Sequence, residues 1–249
     1  MGTVVTLDLF DDKKPSISSL VPIVDDALDV LRRADALFST WKDESSISRI
    51  RRGELTPDDA PTEVRTVLEH CRTARSISQG WFDPWAMPGG LDPTGLVKGW
   101  AAHQSLNVLR RANVGGALVN AAGDIASFGG PHEGERFRVG VVDPSDPRRL
   151  ALVVETPGAI ATSGAYERGE HLIDPHTRVP TTRAASATVV GTDLGLADAL
   201  ATALVVAGPQ ALTIFDQLNE YEGLVISYDG SFLMTPRFPI VENLTMSHE

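Results

Sequence analysis

Residues 158–180, GAIATSGAYERGEHLIDPHTRVP, and residues 186–208, SATVVGTDLGLADALATALVVAG, decide how this chain is read. The first half holds a small-residue turn at Thr162, Ser163 and Gly164, followed by a strand-like run that carries His171 and Asp174. The second half ends in an acidic helix start, DALATAL at 198–204. Asp198 and Thr202 stand four apart, so on a helix they share a face one turn from each other. A carboxylate above a hydroxyl is a pair of hard oxygen donors. It suits Mg²⁺, which takes few protein ligands and keeps water and substrate phosphate in its shell. The competing reading is an ordinary acidic residue in a first helical turn, with a threonine bonded back to the helix backbone.

Working outward, the 249 residues are 42% hydrophobic, enough for a sizeable core in one large domain or two small ones. A formal net charge of −11 argues against nucleic acid or an anionic membrane as partner, although it leaves room for a local phosphate pocket. One cysteine, Cys71, excludes an internal disulfide and a cysteine-based metal cluster, and its helical surroundings make it a core filler. No stretch approaches the roughly 18 apolar residues of a membrane span. With a strand-like run at residues 3–10 and no signal peptide ahead of it, the expected location is the cytoplasm.

Residues 18–38 have the periodicity of an amphipathic helix, with Leu20, Val24, Leu28 and Leu31 on one face. In FSTWKDESSISRI, Ser45 and Ser46 read as the cap of a short second helix, and Trp41 as a packing anchor in preference to a lid over a ring-shaped ligand. A charged loop at 51–61 precedes a helix over 61–79 that Gly80 closes. A run rich in glycine and proline then opens a helix near Leu96, a place where free N–H groups can meet an anion, with Lys98 beside them. It is neither a Walker A loop nor a G-x-G-x-x-G turn. Residues 116–125 read as a buried strand entering an Ala-Gly turn before Asp124. Strands are expected at 137–142 and 150–155, a short helix at 211–218, and a hairpin of 223–228 with 232–235 about Asp229-Gly230. The tail from Val241 is expected to fray. Strands adjoin strands or long helices with no βαβ rhythm, so the expected class is α+β with antiparallel sheets and packed helices.

Nine pieces in order carry a resemblance: MGT at 1–3, FSTWKDESSISRI at 38–50, FDP at 82–84, D-x-x-G-x-x-K-G-x-A at 92–101, VNAAGDI at 119–125, F-x-VGVVDP at 137–144, ATSGAYERG at 161–169, HLIDPHT at 171–177 and DALATAL at 198–204. The chain thereby resembles the FAD:protein FMN transferases, the flavin transferases of the ApbE family. The resemblance implies a single flavin-transferase domain over residues 1–249, of T-fold-like type, with FAD between two related, intertwined α+β lobes. It implies an Mg²⁺-dependent enzyme that splits the FAD pyrophosphate. FMN would pass to a threonine of an acceptor flavoprotein with a D-x-x-T-type motif, and AMP would leave. The alternatives are a FAD pyrophosphatase giving FMN and AMP, and an idle FAD-binding or delivery protein.

Residue roles carry over where the pieces match. Met1, Trp41, Phe82, Asp83, Asp92, Lys98, Thr162, Ser163, Gly164, His171 and Leu172 fall at positions lining the FAD site. Gly95, through its carbonyl, with Asp198 and Thr202 would hold the metal. His171 would be the base, with Asp174 and Lys98 as further catalytic groups. Displacement at a pyrophosphate phosphorus needs charge neutralisation, in-line placement and help in deprotonating a weak nucleophile, which these residue types supply. The chain departs from the family pattern in five side chains, one of them Trp41, where tyrosine is usual. Arg178 and Ala122 stand where glycine is usual, Ala165 where aspartate is usual after TSG, and Arg51 where asparagine is usual. The segment between Asp83 and Asp92 is also short.

Overall fold

The computed structural model describes residues 3–12, 16–164 and 172–244. Its centre is a seven-stranded sheet in the order β1-β2-β3-β6-β9-β10-β11, every pairing antiparallel. The strands are β1 (Val5–Phe10), β2 (Gly116–Ala121), β3 (Asp124–Gly129), β6 (Ala159–Gly164), β9 (Ser186–Gly191), β10 (Glu222–Ile226) and β11 (Phe232–Met234). A smaller sheet pairs β4 (Arg138–Asp143) and β12 (Ile240–Asn243) with the two sides of β5 (Asp146–Glu155). β7 (Ile173–Asp174) and β8 (Val179–Pro180) form a hairpin in the excursion between β6 and β9.

Five α-helices and two 3₁₀ helices complete the fold among the described residues, the α-helices being α1 (Ile17–Phe38), α2 (Ser46–Arg51), α3 (Thr62–Ile77), α4 (Thr94–Leu109) and α5 (Leu194–Ala207). The alternation along each strand sets the layers. Ala117, Val119, Ala126, Ala159, Ala161, Ala187 and Val189 face α4 and α5. Ile125, Ile160, Val190, Leu224 and Ile226 face Val141, Leu152 and Val154 of the small sheet. Phe38, Ile47, Val64, Leu68 and Cys71 pack with Leu96 and Trp100 of α4 in a third, helical cluster. α5 is apolar nearly all round because it lies between that cluster and the sheet.

Several expectations need correction. Thr162-Ser163-Gly164 is the end of strand β6 and pairs with Ser186–Thr188 of β9. Of the three, Ser163 faces α5, its hydroxyl 3.2 Å from that of Thr202, while Thr162 lies against Thr188 on the other face; none forms a turn. α5 starts at Leu194 under the side chain of Asp193, which accepts the Leu196 N–H at 2.8 Å, so Asp198 lies inside the helix and not at its start. The Ala122-Gly123 turn is present and leads into β3, a strand that residues 116–125 alone do not announce. The tail does not fray at Val241: β12 pairs with β5, with Ile240 against the core between the sheets. The short helix expected at 211–218 is present, as a 3₁₀ helix over Pro209–Gln217. Trp41 is 94% exposed and anchors nothing. The α2 cap, in contrast, is as expected: the Ser45 hydroxyl accepts the Ser48 N–H at 3.0 Å.

Candidate active site

α4 and α5 meet at glycine. A Cβ at Gly99 would lie 2.4 Å from the carbonyl oxygen of Leu194, and one at Gly195 would lie 3.1 Å from Cβ of Trp100. At that contact the Gly99 N–H donates to Oδ2 of Asp198 at 3.2 Å. Asp198 is buried, and Thr202 follows one turn on. The Thr202 hydroxyl lies 3.2 Å from the hydroxyl of Ser163 on β6. Gly95, one turn before Gly99, borders the same space: a Cβ there would come within 3.7 Å of Thr202 Oγ1 and 3.3 Å of the buried Phe82 ring. Phe82, Gly95, Ser163, Asp198 and Thr202 therefore converge.

Lys98 joins them from α4. Its ammonium lies 2.7 Å from Oδ2 of Asp124, whose side chain is 1% exposed. Oδ1 of Asp124 accepts the backbone N–H of Thr162 at 3.2 Å, and the Thr162 hydroxyl lies 2.9 Å from that of Thr188. Asp124 is a site residue the motif reading did not single out. Its signal was an aspartate placed straight after a tight turn, at the head of a buried strand.

The other expected residues form the rim. Asp92 accepts the N–H and hydroxyl of Thr94, the first residue of α4, through Oδ1, at 3.0 and 2.6 Å. Its Oδ2 is 3.2 Å from Arg51, whose Nε also donates to the Leu91 carbonyl at 2.7 Å. Arg51 thus ties α2 to the entrance of α4. Asp83 accepts the Trp85 N–H at 2.9 Å and pairs with Arg75 at 2.6 Å, beside a 480 Å³ cavity that Arg72 and His176 also line. Gly164 and Leu172 are both buried and flank the excursion from the sheet. Met1, Ala165 and His171 lie outside the described residues.

Asp174 stands apart from the Asp198 cluster in its bonding. Oδ1 accepts the His176 N–H at 2.9 Å and the Thr177 N–H at 3.4 Å, while Oδ2 accepts from Arg183 at 2.9 Å. Burial alone would raise its pKa; the two N–H donors and the guanidinium outweigh burial and hold the carboxyl below its ordinary value. Arg183 also completes the C-terminus of α5. Its backbone N–H goes to Val205 O at 2.8 Å and its Nη1 to Val206 O at 3.0 Å, while Gly208 serves Leu204 O and Gln210 serves Ala207 O. All four of the helix's last carbonyls thereby have donors. The guanidinium stacks 4.9 Å from the centre of the Trp81 ring. At the other end of α5, burial lowers the pKa of His103, whose Nδ1 accepts the Leu194 N–H at 3.4 Å.

Two of the departures from the family pattern sit in left-handed backbone: Ala122 at φ 54° and Arg178 at φ 60°. Glycine adopts that region without steric cost, which accounts for its being usual at both places.

No group of three or more His, Cys, Asp or Glu side chains able to hold a metal occurs among the described residues. The donor set at α5 is of another kind, one carboxylate with hydroxyls around it. That set fits a hard cation needing few protein ligands. The glycine at position 95 leaves beside Thr202 the space a side chain would fill.

An antiparallel α+β scaffold gathers two buried carboxylates, two hydroxyls and an ammonium where two helices meet a strand end, a cluster of polar groups suited to phosphate chemistry. The chain belongs to the ApbE family, whose family model matches residues 1–89 and 86–225. The FAD:protein FMN transferase of Rhodobacter capsulatus is 35% identical over 156 residues, 59% of this chain and 30% of that protein. The Vibrio cholerae serotype O1 protein of the same name is 31% identical over 147 residues, 55% of this chain and 44% of its own length. The matches thus span less than half of either relative. Among solved structures, the flavin transferase ApbE from Vibrio cholerae superposes with a TM-score of 0.78 at 22% identity, covering 94% of each chain. The ApbE protein of Thermotoga maritima gives 0.80 at 20% identity, covering 95% of this chain and 94% of the other. At such identities the superpositions establish the fold.

Proposed function

We propose that this chain is an FAD:protein FMN transferase. It would split the pyrophosphate of FAD, pass FMN to a threonine hydroxyl of an acceptor flavoprotein and release AMP. The observation that carries the reading is the placement of Asp198 and Thr202 on successive turns of a buried helix, against Gly95 and Gly99 and beside Lys98. Mg²⁺ would be held by Asp198, Thr202 and the carbonyl of Gly95, and when bound it supplies charge neutralisation at the phosphates. Lys98 contributes a second positive charge at the same place. Phe82 closes the apolar side, and Trp41, exposed next to α2, is free to meet a flavin or adenine ring. His171 is the proposed base for the acceptor hydroxyl, since imidazole titrates near neutrality. Asp174, three residues further on, holds the hairpin that follows it. Among the described residues no helix is long and apolar enough to cross a membrane.

Incubation with FAD, Mg²⁺ and a D-x-x-T-type acceptor peptide tests the reading. Covalent FMN on the peptide threonine together with AMP is the expected result. Free FMN and AMP alone would make the protein a pyrophosphatase, and unchanged FAD would make it a binding or delivery protein.

A further inference from the structure

β3 and β6 are paired over only two positions, Ile125↔Ile160 and Ala126↔Ala159. This short seam joins the part of the large sheet built from residues before 130 to the part built from residues after 158. At one end the Ser127 N–H continues the bonding to the Gly158 carbonyl at 2.7 Å; at the Asp124 end the ladder stops and a side chain takes over. Oδ1 of Asp124 accepts the Thr162 N–H at 3.2 Å, bridging the fork where the strands part. Oδ2 of the same carboxylate meets the Lys98 ammonium at 2.7 Å. The tight turn makes this possible: Ala122 and Gly123 both have positive φ, the Gly123 N–H is held by Asn120 Oδ1 at 2.8 Å, and Asp124 begins β3 on the face turned to the helices.

One buried carboxylate thus fixes two things at once, the backbone of β6 next to Ser163 and the charge on α4. We infer that Asp124 is a positioning residue for the reaction. It holds the Lys98 ammonium and the Thr162–Ser163 backbone in fixed register with Asp198 and Thr202, so that an incoming pyrophosphate meets the lysine already aimed. This rests on the proposed transferase reading. The ion pair places the Lys98 ammonium against a buried carboxylate, where the low dielectric strengthens the attraction that orients it.

A carboxylate beside a phosphate site opposes binding of an anion, and this separates a positioning role from a merely structural one. Asp124→Asn keeps an acceptor for Thr162 and removes the charge. FAD should then bind at least as tightly as in the wild type, while kcat falls about 10- to 100-fold as the ammonium loses its fixed place. A structural role predicts weaker FAD binding and a lower melting temperature, with kcat per folded molecule unchanged. That outcome would overturn the inference. Lys98→Met should weaken FAD binding about tenfold, as expected for losing a hydrogen bond to a charged group. In kcat, Lys98→Met/Asp124→Asn should be no worse than Lys98→Met alone; additive losses would show that Asp124 does not act through Lys98. The double variant also leaves no unpaired buried charge, so it guards against loss of the fold.

Amide exchange at Thr162 gives a reading independent of turnover, protected in the wild type and Asp124→Asn and open in Asp124→Ala. Equal protection in all three would overturn the β6 half of the inference. A wild-type protein that binds FAD without consuming it defeats the transferase reading, and the order of FAD affinities together with Thr162 exchange still decides the role of Asp124. A wild type that does not bind FAD overturns both.

Discussion

Two carboxylates, each buried and each facing a cation, stand at opposite ends of the same machinery. Asp124 meets Lys98 at 2.7 Å beside Asp198 and Thr202. Asp174 meets Arg183 at 2.9 Å at the C-terminus of α5. The distances are alike and the surroundings are not. Arg183 spends a planar fork and a backbone N–H on Asp174, Val205 and Val206 and lies against Trp81, so its geometry is determined from several sides. Lys98 offers a point charge on a flexible stem, 20% exposed, paired with the buried Asp124 carboxylate. Arginine here closes a structure, whereas lysine holds a charge ready. Burial and ion pairing alone do not mark a functional carboxylate; what its partner also touches does.

The largest expected effect comes from Asp198, which shares the pocket with Lys98. Asp198→Ala should lower FAD turnover by about 10³-fold, the scale of losing a principal electrostatic contribution to the transition state. Much of the FAD affinity, read by flavin fluorescence, should remain. Wild-type turnover would remove Asp198 from the proposed site and blur the contrast between the two regions.

Arg183→Met should act on stability. Breaking a buried pair costs about 3–5 kcal/mol, less here because the Arg183 side chain is 39% exposed, so about 2–3 kcal/mol is expected by denaturant titration. Turnover per folded molecule should stay near the wild-type value. Arg183→Lys should recover only part of the loss, since an ammonium lacks the fork that reaches both Asp174 and Val206. A large fall in kcat with unchanged stability would place Arg183 with Lys98.

The acid limb of stability sharpens the same comparison. The folded pKa of Asp174 lies below its unfolded value, so its contribution is complete above the ordinary carboxylate pKa near ~3.9 and is lost as pH falls through the folded pKa. His103 works earlier in the same direction. Its depressed pKa means that the unfolded chain takes up a proton first, so stability begins to fall as pH drops below ~6.5. Titration of the melting temperature should show the two steps, and His103→Gln should flatten only the upper one.

The smallest effects belong to the turns beside the two aspartates. Ala122→Gly, two residues before Asp124, and Arg178→Gly, four after Asp174, each relieve a left-handed side-chain residue. Each should stabilise the fold by about 0.5–1 kcal/mol, the steric relief being partly offset by the greater freedom of glycine in the unfolded chain. A loss of stability in either would mean that its side chain makes a contact worth more than the strain.

Much of this was legible in the sequence. The 3.6-residue period located α1, a closing glycine marked the end of the helix that became α3, a serine pair gave the cap of α2, and the four-residue spacing put Asp198 and Thr202 on one face. Where side-chain size was set by packing, local signals misled. Ala159, Ala161 and Ser163 are small because α5 lies over them, yet Thr-Ser-Gly reads as a turn. Asp124 reaches Thr162 across 38 residues and Arg183 reaches Val206 across 23, and no local pattern records such partners, although Arg183 is only nine residues from Asp174. Trp41, taken for a packing residue, has its ring in solvent.

The glycine contact of α4 with α5 has a kinetic consequence. At Gly99 nothing but backbone separates the helices, and the amide at that contact is bonded to Asp198. Both helices also belong to the two largest apolar clusters, so parting them means opening the interior. The Gly99 amide should therefore exchange with solvent only through the slowest, global opening, at the same rate as the deepest strand amides. Fluctuations that admit a ligand would have to occur elsewhere, in the segments around the pocket, while the carboxylate at its base keeps time with the whole molecule.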